Sequence, residues 1–299
     1  MMHHTLEKTG TVPVIGGNIH CRYYEPHDPD KTARTPVVFV HGGPGGSHSA
    51  MCDGLESLAD ERPVVFYDQL GSYYSPAELT PDLMTVERFA DEISCLMKHL
   101  GKDKVILFGH SWGGALAAYF AIHNPTKVAG LVLSCPLLST KKWIDDCNEL
   151  MAELPSDVQE TIRSCEANGT TSSAAYQAAD DLFSSLHLLR SNENRSILLK
   201  HRHKTVRQIY MAMWGPSEFS CQGLLKDFDV FSRLAEIVVP TLLLCGEYDT
   251  VTPKTMREAQ KLIKGSVVSI IPESGHLAYL DNNRAYVSAV EDFFAANRY

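Results

Sequence analysis

Several classes of protein are excluded by what this chain lacks. Its eight cysteines, at 21, 52, 95, 135, 147, 165, 221 and 245, include no CxxC pair. The spacing of a zinc ribbon or a dithiol redox motif is therefore missing, and the thiols read as reduced and mostly buried. No apolar run approaches the ~18 residues that a membrane span needs. The first residues, Met1-Met2-His3-His4-Thr5, show no basic segment followed by an apolar stretch, so a cytoplasmic location is expected. No run of lysine and arginine stands out; the nearest is the short, mixed His201-Arg202-His203-Lys204. With 27 basic against 36 acidic residues and a net charge of −9, the electrostatic footprint of a nucleic-acid binder is absent. There is no GK[ST] and no G-x-G-x-x-G, which argues against a phosphate cradle. Internal repeats and low-complexity tracts are missing too.

What is present is enough apolar material for a large core, 44% of 299 residues. Short apolar runs at 36–40 (PVVFV), 63–67 (PVVFY), 104–108 (KVILF) and 128–134 (VAGLVLS) are bounded by glycine or proline and rich in β-branched residues. They read as buried parallel strands. Between two of them, Val86, Phe89, Ile93, Leu96, Met97 and Leu100 fall on one helical face, with Thr85 as N-cap and Gly101 just past the end. Strand–helix alternation implies a mostly parallel sheet covered by helices on both faces. A hairpin over 12–24, around Gly16-Gly17-Asn18, adds an antiparallel edge.

The texture changes at about 139–235, where helices are expected over 141–153, 156–167, 172–189 and 194–213. Strands return at 241–245 and 266–271, followed by a helix near 283–297. The simplest architecture is one α/β core, 1–138 with 236–299, and an inserted helical cap at 139–235. Caps of this kind cover a pocket and set substrate choice.

Gly109-His110-Ser111-Trp112-Gly113 matches G-x-S-x-G, preceded by a strand and followed by a helix, the context of a nucleophile elbow. A serine hydroxyl needs a base. Of 13 histidines, His276 follows the last strand in a loop, whereas His99, His123, His187, His201 and His203 lie on helical stretches. Asp249, after the strand at 241–245, is the expected third member, with Glu247 as the competing carboxylate. The order Ser, Asp, His is that of the α/β-hydrolase fold. Donors for a developing oxyanion are expected from the backbone N–H of Trp112 and from Gly43 in the glycine-rich loop His41-Gly42-Gly43-Pro44-Gly45-Gly46.

HGGPGG at 41–46, YDQ at 67–69 with Gly71, GHSWGG at 109–114, GEYD at 246–249 with Pro253, and SGH at 274–276 occur in this order, and together they resemble the proline iminopeptidase family of α/β-hydrolases. The resemblance spans about 37–280. It implies hydrolysis of amides or peptides bearing a free N-terminal amine, as in prolyl aminopeptidases and L-amino-acid amidases. Trp214-Gly215-Pro216-Ser217-Glu218-Phe219 resembles the family's WGPxEF segment, whose glutamate binds the amine. Glu218 is therefore the expected amine anchor, with Trp214 and Gly42 beside the substrate. Thr250 stands where some relatives carry a second acid, and Tyr73 where they carry glycine, so both are expected near the pocket. No metal or cofactor is called for. The expected partner is a small peptide, aminoacyl amide or ester, with neither nucleic acid nor membrane. An esterase, lactonase or acyl transferase would use the same triad, and a non-catalytic receptor on this fold is a further alternative.

Overall fold

The computed structural model describes residues 5–299; residues 1–4, with His3 and His4, lie outside the described part. β1 (Thr5–Val14) and β2 (Gly17–Pro26) form the expected hairpin, longer than 12–24, with Val14 paired to Gly17 across the turn. β3 (Val37–Val40) and β4 (Val64–Tyr67) follow. Next come α1 (Val86–His99), β5 (Val105–His110), α2 (Trp112–His123) and β6 (Val128–Ser134). Beyond a helical stretch lie β7 (Thr241–Gly246) and β8 (Val267–Ile271). The eight strands make one sheet in the order β1-β2-β4-β3-β5-β6-β7-β8. β1 and β2 are antiparallel to their neighbours and the rest are parallel.

Every residue of β3, β4, β5 and β7 is buried, as strands covered on both faces must be. Alternate side chains enter opposite layers. Val38, Val40, Val65, Tyr67 and Leu107 join α1 and α2 on one face. Val37, Phe39, Val64, Phe66 and Phe108 join a C-terminal helix carrying Tyr286, Val290, Phe293 and Phe294 on the other. α1 is built as its sequence requires. Thr85 Oγ1 accepts from Arg88 N, and the helix ends with Gly101 N donating to Lys98 O and Lys102 N to Met97 O, a Schellman closure.

Between β6 and β7 the chain makes five α-helices and adds no strand to the sheet: α3 (Thr140–Met151), α4 (Ser156–Ala167), α5 (Ala174–His187), α6 (Arg195–Arg202) and α7 (Arg207–Met213). The continuous helix expected over 194–213 is thus two helices. The break has a tertiary cause. Val206 N donates to Gly45 O at 2.8 Å, and a Cβ on Gly45 would meet Val206 O at 2.8 Å and Ile209 Cβ at 3.0 Å. The chain bends at 203–206 to lie on the glycine-rich loop after β3. Two helices close the core, α8 (Pro253–Leu262) and α9 (Asn283–Ala296). No helix of the described residues is long and apolar enough to cross a membrane.

Candidate active site

Ser111 sits between β5 and α2 with φ 56° and ψ −122°, a conformation an L-residue adopts only under constraint. The constraint is visible: Ser111 N donates to Ser134 O, and Ser111 O accepts from Gly114 N and Leu137 N. The turn also requires very close packing behind it, since a Cβ on Gly113 would stand 2.0 Å from Val40 O. The hydroxyl is thereby presented at the N-terminus of α2, where unpaired amides and the helix dipole favour negative charge. Trp112 supplies the first amide of that helix.

His276 stands in the loop after β8. Its Nδ1 lies 2.8 Å from Asp249 Oδ1. Asp249 is fully buried and also accepts from Val251 N at 3.1 Å, Thr250 Oγ1 at 3.2 Å and Gly246 N at 3.4 Å. Burial pulls the His276 pKa down, but the charge and hydrogen bond of Asp249, with Glu218 adding a little, outweigh it and leave it raised. Glu247 is exposed and takes Glu273 N on Oε2, so it does not meet His276. Cys135, Asp249 and His276 form the one group of metal-ligating side chains found among the described residues. Burial pushes the Cys135 thiol well up, and the imidazole nitrogen is already used by Asp249, which suits an acid–base pair better than a ligand set.

The loop after β3 lies against the serine. A Cβ on Gly42 would be 3.0 Å from Ser111 Cβ. The YDQ segment fixes this loop, a role the sequence reading did not assign to it. Gln69 Nε2 donates to His41 O at 2.8 Å while its Oε1 accepts from Trp112 Nε1 at 2.9 Å, tying the loop to the elbow. Gln69 N donates to His41 Nε2, and burial lowers the His41 pKa, so its imidazole stays neutral. Asp68 takes His48 N and Nδ1 on Oδ1 and Tyr74 N on Oδ2. Burial would raise its pKa, yet the hydrogen bonds and charge of His48 hold it at about 2.

A cavity of about 920 Å³ is lined by Ser111, His276, Gly42, Gly43, Glu218 and further side chains of the helical region. Glu218 lies in a tight turn, with Ser217 bridged to Ser220, and not on a helix. The WGPSEF sequence makes that turn: Trp214 Nε1 donates to Ser217 O, and Trp214 O accepts from Gln222 N and Gly223 N. Glu218 Oε1 accepts from Tyr210 Oη at 2.8 Å, and its main-chain O accepts from Trp143 Nε1 at 2.9 Å. The Trp143 ring stands edge-on to His276 at 5.3 Å. Asp180 of α5 lines the cavity as well, and with Tyr210, Trp143 and Gln69 it is a site neighbour that the sequence reading missed. The one signal for Asp180 is an acid on an apolar stripe of α5.

Three expected substrate contacts fall elsewhere. Thr250 is fully buried behind the acid, its hydroxyl shared between Asp249 and His276 Nδ1, and it does not line the cavity. Tyr73 is 45% exposed and meets Tyr74 and His203 edge-on, away from the cavity lining. Trp214 is buried inside the turn and acts on Glu218 through the backbone.

Comparison with known proteins agrees with the fold. A family model described as the alpha/beta hydrolase fold matches residues 35–283. A proline iminopeptidase of Heyndrickxia coagulans is 36% identical over 286 residues, covering 95% of this chain and 97% of its own. The chain belongs to the proline iminopeptidase family of α/β-hydrolases. It is accordingly a hydrolase. Two solved structures are similar over the whole length. The proline iminopeptidase of Mycobacterium smegmatis superposes with TM-score 0.88 at 27% identity, covering 97% of this chain and 98% of that one. VinJ gives TM-score 0.86 at 32% identity with the same coverage.

Proposed function

We propose that the chain is a serine aminopeptidase or amidase that releases N-terminal residues, proline foremost, from small peptides and aminoacyl amides. The observation that carries this reading is one cavity holding Ser111, His276 and Glu218, with Asp249 2.8 Å behind the imidazole. Ser111 Oγ attacks the acyl carbon while His276 takes its proton. Asp249 orients the ring and stabilises the imidazolium. The amides of Gly43 and Trp112 receive the oxyanion. His276 returns the proton to the leaving amine, and the acyl-enzyme is hydrolysed by water activated by the same base.

Glu218 receives the substrate's ammonium group by a charge-assisted hydrogen bond. The helical segment 139–235 serves as the cap that brings Glu218, and its support Tyr210, over the core. Small peptide substrates, a cytoplasmic location and catalysis by the chain's own side chains complete the reading.

The test compares prolyl-4-nitroanilide with its N-acetylated form and with p-nitrophenyl acetate. Loss of a charged hydrogen bond worth about 1.5–3 kcal/mol predicts roughly 10- to 150-fold lower kcat/KM for the acetylated amide. Equal turnover of blocked and free amides would refute the amine anchor, and ester turnover without amide turnover would refute the peptidase reading.

A further inference from the structure

α5 buries Tyr176, Ala179, Phe183 and His187 at helical spacing. Asp180 lies four residues after Tyr176 and three before Phe183, so it belongs to the inward face of this helix. An acid in that stripe is costly unless something compensates it. The structure makes it part of the wall of the cavity that also holds Ser111, His276 and Glu218.

The charges facing it do not compensate it. Asp181 on its own helix and Glu218 in the WGPSEF turn repel it, while Arg207 on α7 and Arg202 on α6 attract it. Tyr176 and Tyr210 stand near it as neutral phenols, the first bonded to Glu166 and Ser217, the second to Glu218. Arg207 is engaged elsewhere, with Nη2 donating to Pro216 O at 2.6 Å and its guanidinium over the Tyr210 ring. Arg202 is exposed at the end of α6. No hydrogen bond or ion pair between Asp180 and another described side chain accompanies these charges. Burial first, and Glu218 second, push its carboxyl up to about 6. Arg202 and Arg207 line the same cavity, but neither makes an ion pair with Asp180 or Glu218, so a cationic ligand seated between the two acids would relieve both.

We propose that Asp180 is a specificity residue of this site, forming with Glu218 a two-carboxylate seat for the substrate's N-terminal ammonium. This rests on the amine-directed reading of the cavity and adds a residue from a separate helix to it. The chemistry suits proline. A prolyl ammonium offers two N–H donors, one for each carboxylate, with Glu218 Oε1 already occupied by Tyr210. A primary ammonium brings a third donor that must find another acceptor.

The experiment measures KM and kcat for prolyl-4-nitroanilide against pH in the wild-type protein, Asp180→Asn and Asp180→Glu. In the wild type, KM should rise as pH falls through about 6, where the Asp180 carboxylate is neutralised. Asp180→Asn should raise KM roughly five- to tenfold near neutral pH, change kcat little and abolish that limb of the KM profile. Asp180→Glu should restore most of the affinity and keep the limb. A KM unchanged in Asp180→Asn, or a limb that persists, overturns the proposal. So does an equal loss in both variants, which marks damage to α5 and not loss of charge. If the wild-type protein cleaves p-nitrophenyl acetate but no aminoacyl arylamide, the amine-directed reading itself fails and this proposal falls with it.

Discussion

Glu218→Gln isolates the charge of the amine anchor with little disturbance around it. The glutamine carbonyl can still accept from Tyr210 Oη, which now bonds to Glu218 Oε1 at 2.8 Å. The main-chain carbonyl that holds Trp143 is untouched. What is lost is the difference between a charge-assisted and a neutral hydrogen bond to the substrate ammonium, about 1–1.5 kcal/mol, or roughly five- to twelvefold in kcat/KM. The Coulomb ceiling for such a pair at 4 Å is about 4 kcal/mol at an effective dielectric constant of 20, and partial exposure of Glu218 keeps the effect below it. Glu218→Ala is a less clean probe. It also strips the buried Tyr210 hydroxyl of its acceptor, adding about 1–3 kcal/mol of damage. The assay is the ratio of kcat/KM for prolyl-4-nitroanilide to that for p-nitrophenyl acetate. The ratio should fall about tenfold in Glu218→Gln. A ratio equal to that of the wild type would refute the reasoning.

Three further perturbations follow from other parts of the site. Gly113→Ala puts a methyl 2.0 Å from Val40 O and 2.7 Å from His41 O, backbone atoms that cannot yield, so stability should drop by at least about 3 kcal/mol in urea denaturation; an unchanged midpoint would contradict this packing. Gln69→Leu leaves the His41 carbonyl and the Trp112 indole without partners, at about 1–3 kcal/mol each, and should lower the melting temperature and reduce kcat more than it raises KM. Because Asp249 and Glu218 raise the His276 pKa above 6.5 despite burial, the acid limb of kcat/KM should lie above 6.5, activity growing as the base loses its proton. Asp249→Asn should move that limb to lower pH and cut kcat by roughly 10³–10⁴, and a limb that stays in place would separate Asp249 from the base.

The sequence was most informative where local chemistry decides the structure. Buried strands announce themselves as β-branched runs ending at glycine, and the elbow is legible because a Ser between two close-packed glycines has few other uses. Asp249 and His276 were reachable because chain order and a position after a strand narrow the choice. What escaped depends on long-range packing. The break between α6 and α7 comes from Val206 donating to Gly45, about 160 residues earlier in the chain, which no local pattern reports. The sheet order, with β4 placed between β2 and β3, follows from crossovers that strand patterns do not specify. Glu218 was found by motif, but its turn was not, because the Ser217–Ser220 bridge needs the fold around Trp214 and Trp143. Thr250 and Tyr73 show the converse: expected near the pocket, neither is among the side chains that line the cavity. Asp180, far from every motif, lines it.

Covalent capture tests the central claim that Ser111 is the activated nucleophile. Treatment with an aryl-leaving phosphonate, followed by proteolysis and peptide mass mapping, should place one adduct per chain on the peptide containing Ser111. Activity should be lost in step with labelling, and Ser111→Ala should be neither labelled nor active. An adduct on another residue, or full activity in Ser111→Ala, would contradict the account.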